Sequence, residues 1–254
     1  MEYLVSVAFV IWLYMTILFF LALIRKDNSI VDIFWGLGFI VVAAFSLVRS
    51  GNFNIQTIVM NLMVLLWGLR LSIHIFIRNR GKGEDFRYKA WRDTWKYFVL
   101  RSYFQIFILQ GIFMMIVSSP VYFVNQYSDG VFHINDYIGI ILFLTGFYFE
   151  AVSDWQLFRF TKNPGHKGKI ITTGLWSISR HPNYFGEALI WWGIGFFSLS
   201  YYQGWLLLIG PVTITLLLRF VSGVPMLEKK YQNNPDWKEY RQKTAAFVPF
   251  VRFL

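Results

Sequence analysis

The chain has 254 residues, of which 56% are hydrophobic and only 15% are charged. A soluble domain carries about 25% charged residues, so this composition excludes an ordinary soluble protein and indicates a membrane protein. The sequence contains no cysteine, which excludes disulfides, thiolate metal ligands and cysteine nucleophiles. Basic loops beside anionic lipid explain the formal net charge of +10, so no nucleic-acid partner is needed.

Apolar runs of about 20 residues, each long enough to cross a bilayer, recur along the chain. We therefore predict an all-α integral membrane protein with about seven transmembrane helices, folded as one domain over residues 1–254. The first run lacks a basic leading region and a clear cleavage site, so we expect a retained helix. The predicted spans are residues 3–24, 30–48, 55–77, 98–124, 137–160, 183–199 and 205–224.

Basic residues are concentrated in alternate polar segments. Residues 25–28, 78–96, 159–182 and the segment after Val224 hold 2, 7, 5 and 6 of the 24 Lys and Arg, whereas the opposite loops hold only Arg49. Cytoplasmic loops collect Lys and Arg. We therefore predict an N-terminus outside the cell and a C-terminus in the cytoplasm, which an odd number of spans satisfies.

A few ionisable residues interrupt the predicted spans, where charge is costly and usually faces a protein interior or a water-filled cavity. Glu150 and Asp154 are four residues apart and share one helical face, as do Arg70 and His74. Asn183 and Glu187 form a third such pair. These spacings predict a polar cavity near the cytoplasmic helix ends.

A structural alternative exists for each of these groups. The two acids would form ion pairs with Arg70 or Arg219, Asp32 would pair locally near the start of its span, and His74 would be an interior histidine. The four histidines are scattered along the chain, and no cluster has the spacing of metal ligands. We therefore predict no metal site.

The densest polar cluster is Arg180-His181-Pro182-Asn183-Tyr184-Phe185-Gly186-Glu187, which directly precedes an apolar run. Pro182 suits the first turn of a helix, and a helix N-terminus beside Arg180 and His181 makes an anion site. Asn183 donates and accepts hydrogen bonds, Tyr184 offers a stacking face, and Glu187 is an acceptor one turn deeper. This layout predicts a phosphate-bearing nucleotide cofactor. No Gly-x-Gly-x-x-Gly precedes a helix, so a Rossmann site is not supported.

The motif Gly174-x-Trp176 followed by Arg180-His181-Pro182-Asn183-Tyr184-x-Gly186-Glu187 resembles the C-terminal signature of steroid 5α-reductase-like membrane proteins, in a bacterial branch. The resemblance covers most of the chain and is strongest over residues 149–250. It implies seven helices in a bacterial inner membrane, NADPH bound from the cytoplasmic side, and reduction of a carbon–carbon double bond conjugated to a carbonyl. Further agreeing blocks are Trp67-Gly68-Leu69-Arg70-Leu71, residues 79–88, Asp32-x-x-Trp35-Gly36, and Pro225-Met226-Leu227-Glu228 with Tyr240 and Phe247-Val248-Pro249-Phe250.

The resemblance also assigns cofactor contacts position by position. Asn183 and Glu187 match the residues that hold the nicotinamide end, and Tyr184 matches an aromatic neighbour. At Glu150 the mammalian steroid reductases have Asn. The remaining matches are Asp154 on the preceding helix, Asn79 before a Gly, and a basic contact near Lys162. Together with Arg180 and His181 of the predicted anion site, these residues complete the predicted cofactor contacts.

The catalytic residues follow less directly from the resemblance. Steroid reductases polarise the substrate carbonyl with a Tyr and a Glu from the N-terminal half, but the matching Tyr position falls at residues 67–70, which contain no Tyr. Asp32 is the best substitute for the acid, with Arg70 or His74 as a second donor. This departure leaves the identity of the lipophilic substrate open.

Another enzyme class shares part of the signature. Arg180-His181-Pro182-x-Tyr184-x-Gly186 also resembles isoprenylcysteine carboxyl methyltransferases and phospholipid N-methyltransferases, which bind S-adenosylmethionine. Asn183 with Glu187 favours the reductase, since those methyltransferases usually lack the Glu and carry paired acids where this chain has Glu228 alone. A transporter or lipid-binding protein would leave the polar cluster unexplained. We predict an NADPH-dependent reductase whose partners are a lipophilic substrate and membrane lipids.

Overall fold

The computed structural model describes residues 1–251, without the side chains of Lys230 and Pro235. This part of the chain forms helices and no β-strand, apart from an isolated bridge between Ser179 and Ala245. Six of its helices are long and apolar enough to cross a membrane. The predicted all-α fold and a multi-pass integral membrane protein are therefore confirmed, while the orientation stays a prediction.

The first of two compact units runs from Met1 to Phe132. Its first three helices begin and end within two residues of the predicted spans. The fourth span, predicted as one helix over residues 98–124, ends instead at Val117, because Ser118 leaves helical geometry and Pro120 occupies the first turn of a new helix. The unit contains α1 (Glu2–Arg25), α2 (Ile30–Ser50), α3 (Ile55–Asn79), α4 (Phe86–Thr94), α5 (Phe98–Val117, with a π-helical stretch at Tyr103–Ile108) and α6 (Ser119–Tyr127).

Two glycines bring α2 and α3 into backbone contact. A Cβ atom on Gly36 would lie 2.4 Å from the carbonyl oxygen of Gly68, and one on Gly68 would lie 2.6 Å from that of Gly36. Small residues allow this approach, which supplies the packing energy that lipid-exposed helices cannot gain from the hydrophobic effect. The start of α2 is thereby fixed against α3.

The second unit begins at His133. Its predicted sixth span corresponds to a 15-residue helix continued by a 3-10 turn over Phe197–Ser200. Together they rise about 30 Å, which matches the thickness of a bilayer core. This helix is not among the six candidate spans, so the seventh span stays a prediction. The α-helices of this unit are α7 (Ile134–Lys162), α8 (Pro182–Phe196), α9 (Ile209–Leu216), α10 (Val224–Tyr231) and α11 (Pro235–Lys243).

Glycines also join α7 to α8. A Cβ on Gly186 would lie 2.5 Å from the Glu150 nitrogen, one on Gly146 would lie 2.6 Å from the Gly186 oxygen, and one on Gly193 would lie 2.5 Å from the oxygen of Gly139. The two backbones thus meet along most of α8. This contact places the polar start of α8 against the polar C-terminal half of α7.

Candidate functional site

The segment before α8 is held between α7 and the C-terminal part of the second unit. The indole N–H of Trp176 donates to the carbonyl of Ser153 on α7 at 3.1 Å. On the other side, Ser179 Oγ donates to the carbonyl of Phe247 at 2.8 Å, and the backbone N–H of Arg180 donates to Ala245 at 2.8 Å. The hydroxyl of Tyr240 donates to the carbonyl of Trp176. These contacts fix the backbone on which the signature residues stand.

Arg180 is buried and its guanidinium is held by the chain itself. Nε and Nη2 each lie 2.9 Å from Glu228 Oε1, and Nη1 donates to the carbonyls of Arg241 at 2.7 Å and Thr244 at 3.0 Å. Its Cζ also lies 5.7 Å from the centre of the Trp237 ring. Arg180 therefore ties α10 and α11 to the start of α8.

His181 occupies the residue before α8 and is 4% exposed. Its Nε2 lies 3.3 Å from Glu228 Oε1, and its ring stacks on Tyr184 at a centroid distance of 5.6 Å. Burial lowers the pKa of His181 despite the nearby Glu228 carboxylate, which favours the neutral ring. With Nε2–H donating to Glu228, Nδ1 is the acceptor, and among the described residues this buried atom has no hydrogen-bond partner.

Asn183 and Asp154 join the polar faces of α8 and α7. Asn183 Nδ2 donates to Asp154 Oδ1 at 3.1 Å, whereas the buried Oδ1 of Asn183 has no partner in the described part of the chain. Glu150 and Glu187 are 2% and 8% exposed. The start of α8 therefore presents two unsatisfied acceptors within a group of buried carboxylates.

This arrangement leaves two acceptors that a ligand with hydrogen-bond donors would satisfy. An unsatisfied buried acceptor costs about 1–3 kcal/mol, so a ligand with N–H or O–H donors would be stabilised at both atoms. An amide, an amino group or a ribose hydroxyl meets that requirement. Nucleotide cofactors carry donors of this kind. No side chain caps the N-terminus of α8, so its first N–H groups are suited to an anion.

Lys162 lies at the exposed end of α7. Its Nζ is 4.3 Å from the centre of the Phe158 ring, and the loop that follows is exposed and basic. Throughout residues 1–251 there is no cluster of three or more His, Asp or Glu able to hold a metal ion.

In the first unit, Asp32 lies in a polar cluster with residues of α4. Its Oδ2 accepts from Arg87 Nη2 at 2.8 Å, and its Oδ1 accepts from the hydroxyl of Tyr88 at 2.7 Å. Arg87 also donates from Nε to Asp85 at 2.8 Å. Burial raises the pKa of Tyr88, and the charge of Asp32 raises it further. Tyr88 is therefore a protonated phenol that donates to a carboxylate.

A second ion pair holds the loop that leads into α4. Both nitrogens Nε and Nη2 of Arg92 donate to Glu84, at 2.8 and 2.7 Å, and the backbone N–H of Asn28 donates to the same carboxylate at 2.8 Å. Burial opposes ionisation of Glu84, but these hydrogen bonds prevail and lower its pKa. Asn28 in turn donates to Ser102 at the start of α5.

The other predicted residues of this unit lie on α3. Arg70 and His74 are half-buried and one turn apart. Asn79 is the last residue of the helix, and its Oδ1 accepts from Arg78 at 3.3 Å.

Sequence reasoning missed two partners of the predicted residues. In the sequence, Tyr88 belongs to a block of family resemblance, and its contact with Asp32 joins positions 56 residues apart. Glu228 is the shared partner of Arg180 and His181, a role that depends on the path of the C-terminal segment. No spacing in the sequence signals either contact.

Comparisons with known proteins find sequence similarity to an uncharacterized protein and to two enzymes. The chain is 26% identical over 270 residues to an uncharacterized protein of Schizosaccharomyces pombe, covering 88% of this chain and 73% of the relative. It is 30% identical over 89 residues to protein-S-isoprenylcysteine O-methyltransferase of Saccharomyces cerevisiae, covering 32% of this chain and 33% of the enzyme. It is 41% identical over 71 residues to steroid 5-alpha-reductase DET2 of Arabidopsis thaliana, covering 24% of this chain and 27% of the enzyme.

The chain thus spans about a third or less of each of these two enzymes. No solved structure matches it. The similarity to a reductase and a methyltransferase agrees with the family resemblance inferred from the signature. Residues 18–244 match the family described as a protein of unknown function, DUF1295, and the chain belongs to this family of steroid 5-alpha-reductase-like membrane proteins.

Proposed function

We propose that this protein is a membrane-embedded, NADPH-dependent reductase of a carbon–carbon double bond conjugated to a carbonyl in a lipophilic substrate, in a bacterial inner membrane. The observation that carries the proposal is the pair of buried, unpartnered acceptors His181 Nδ1 and Asn183 Oδ1 at the start of α8. The carboxamide of nicotinamide offers two N–H donors to such atoms. The similarity to steroid 5-alpha-reductase DET2 supports the same assignment.

The residues of the second unit would divide the cofactor between them. Asn183 and His181 would accept from the carboxamide, and the buried carboxylates of Asp154, Glu150 and Glu187 would accept from amide or ribose donors. Tyr184 would offer its ring face. The phosphates would meet the N-terminus of α8 and Lys162. The cofactor role of Asn79, which lies in the first unit, stays a prediction from the family resemblance. Arg180, whose guanidinium is held by Glu228 and two carbonyls, would act by positioning His181.

NADPH would supply the hydride when it is bound, and the chain would supply two further contributions. The chain must stabilise the negative charge that develops on the carbonyl oxygen and provide a proton. Tyr88 holds its single proton on a buried phenol that donates to Asp32. Turned from Asp32 to the carbonyl oxygen, this O–H would stabilise the developing charge, as preorganised donors do. We assign Tyr88 and Asp32 this role, with Arg70 and His74 as the other candidate donors.

The cofactor assignment is tested by titrating NADPH into the purified chain in detergent micelles and monitoring NADPH fluorescence. Asn183→Ala removes one acceptor, and we expect at least about tenfold weaker binding from the loss of a hydrogen bond in a buried site. Asn163→Ala is the matched control, since Asn163 is exposed and caps a 3-10 turn of the same unit. Binding of S-adenosylmethionine in place of NADPH would refute the reductase assignment.

The test of the proton donor separates turnover from cofactor binding. Tyr88→Phe keeps the buried ring but removes the hydroxyl, and we expect NADPH to bind unchanged while turnover of a lipophilic enone falls by about 10²-fold or more. Tyr97→Phe, at an exposed tyrosine of the same unit, is the control. Full turnover in Tyr88→Phe would remove this residue from the mechanism.

A methyltransferase is the second candidate function. The observation in its favour is the 30% identity to protein-S-isoprenylcysteine O-methyltransferase over 89 residues, and the amino group of S-adenosylmethionine is also a donor that unpartnered acceptors would bind. Incubation with methyl-labelled S-adenosylmethionine and a prenylated cysteine or a phospholipid amine distinguishes the two. Transfer of label without NADPH oxidation would establish the methyltransferase.

A further inference from the structure

The inner face of α4 is fully engaged within the first unit. Tyr88 contacts Asp32 and lies edge-on to Trp91 at 5.5 Å, and Trp91 stacks on Trp95 at 5.1 Å with ring planes 11° apart. Arg87 and Arg92, which belong to the same helix, are both in ion pairs with carboxylates. These contacts fix the rotation of α4 about its own axis.

The exposed side of α4, of the turn that follows it and of the start of α5, here called the outer face, is different. Phe86 and Tyr97 are 68% and 70% exposed, and the cations Lys89, Lys96 and Arg101 are also exposed. In the described part of the chain none of the three cations forms an ion pair. Instead, Lys96 Nζ lies 5.2 Å from the Tyr97 ring and Arg101 Cζ lies 6.0 Å from the Trp95 ring. Asp93 is the one exposed acid of α4 itself.

The connections of α4 keep it near the ends of two candidate membrane spans, α2 and α5. Three residues separate its end from α5, and a residue spans at most about 3.5 Å, so α4 ends within about 14 Å of the first residue of that candidate span. Its contact with Asp32 adds a second constraint, because Asp32 is the third residue of α2. If α2 and α5 span the bilayer, the outer face therefore lies at the depth of the lipid headgroups and not in the hydrocarbon core.

We propose that this outer face, formed by Phe86 and Lys89 of α4, Lys96 and Tyr97 of the turn after it, and Arg101 of α5, binds the headgroups of anionic phospholipids in the adjoining leaflet. Exposed cations complement their phosphates, and aromatic rings are favoured at the depth of the headgroups. A soluble anion would satisfy the cations but would leave Phe86 and Tyr97 in water. The combination of charge and exposed ring surface therefore points to lipid.

Lipid bound at this face stabilises more than α4. Arg87 and Tyr88 lie on the same helix and hold Asp32, while Arg92 and Glu84 hold the turn before α2. Ordering of α4 by lipid therefore raises the stability of the whole cluster. This effect does not depend on which cofactor the second unit binds.

The experiment uses the purified full chain in a neutral detergent, titrated with dioleoylphosphatidylglycerol or with dioleoylphosphatidylcholine. Native mass spectrometry measures bound lipid, and thermal unfolding measures stability. The test variant combines Lys89→Gln, Lys96→Gln and Arg101→Gln. The control combines Lys167→Gln, Lys169→Gln and Lys238→Gln, which removes three exposed cations from the second unit.

We expect phosphatidylglycerol to bind and to raise the unfolding temperature of the wild-type chain and the control, with a response that weakens in high salt. Each surface cation contributes roughly a fivefold effect on binding to anionic lipid, so the triple variant should bind on the order of 100-fold more weakly. Lys89→Gln alone should bind about fivefold more weakly, which keeps the test available if the triple variant does not fold.

Three results would overturn the proposal. Equal losses in the test and control variants would mean that net charge alone attracts the lipid. An equal response to phosphatidylcholine would exclude recognition of anionic headgroups. The same stabilisation by glycerol 3-phosphate would identify a soluble phosphate as the occupant.

Discussion

Gly186→Ala tests whether the contact between α7 and α8 sets the geometry of the candidate cofactor site. The new Cβ would lie 2.5 Å from the Glu150 nitrogen and 2.6 Å from the Gly146 oxygen, both of which are backbone atoms. Ordinary contacts are about 3.5 Å, so the helices must separate by about 1 Å. The Asn183–Asp154 hydrogen bond, now 3.1 Å, would then exceed the limit of about 3.5 Å for such a bond.

The expected cost follows from two opposing terms. Overpacking costs about 1–3 kcal/mol, while replacing a helical glycine by alanine returns about 0.5–1 kcal/mol. The midpoints of these ranges give a net loss of about 1.2 kcal/mol, which corresponds to a fall of about 2–5 °C in the unfolding temperature for a chain of this size. Loss of the Asn183–Asp154 hydrogen bond would also weaken NADPH binding by about fivefold.

Thermal unfolding in detergent and NADPH titration measure the two effects. Gly83→Ala is the control, because a Cβ at Gly83 meets no atom within 4 Å. An unfolding temperature and an NADPH affinity for Gly186→Ala that both match those of Gly83→Ala would refute the argument that glycine contact positions the site.

Three further predictions concern stability. Hydrogen bonds lower the pKa of Glu84, so its stabilising effect is complete above the unfolded-state pKa of about 4.3 and is lost as the pH falls through the lowered value; the gap in unfolding temperature between wild type and Glu84→Gln should therefore narrow at low pH, and a constant gap would contradict this. Burial lowers the pKa of His181, so the unfolding temperature should begin to fall below about pH 6.5, where the unfolded state takes up the proton, and His181→Gln should reduce that fall. Trp176→Phe removes the hydrogen bond to Ser153 and should cost about 1 kcal/mol, seen as a lower unfolding temperature than that of Trp155→Phe at an exposed tryptophan.

The fold was largely predictable because transmembrane helices are encoded locally. The apolar runs that became α1, α2 and α3 are bounded by polar residues, and their ends were predicted within two residues. The break at Ser118 had a signal in the Pro120 that follows. Helix α4 had no signal in the lengths of the apolar runs, because many of its residues are basic or aromatic. Its position is fixed by contacts with Asp32 and Glu84.

The candidate site was predictable only where its residues are close in sequence. Spacing of three or four residues placed Glu150 with Asp154 and Asn183 with Glu187 on single helical faces. The partner of Asp32 is 56 residues away, and its identity depends on where the loop after α3 returns to the start of α2. A pattern within one helix contains no information about such a contact.

The same glycines that pack α7 against α8 also position the polar groups that the proposed cofactor would meet. Gly186 lies one turn after Asn183 in α8, and a side chain there would separate α8 from α7 at Glu150. Because the backbones touch, Asn183 reaches Asp154 with its donor, and its acceptor is left buried and available. The Arg-His-Pro part of the signature fixes the C-terminal segment through Glu228, whereas the Asn-to-Gly part sets the hydrogen-bonding groups offered to a ligand. Under the proposed function, one motif therefore serves both folding and cofactor recognition: Arg180 holds the C-terminal segment, while His181 and Asn183 offer the acceptors that a nicotinamide carboxamide would meet.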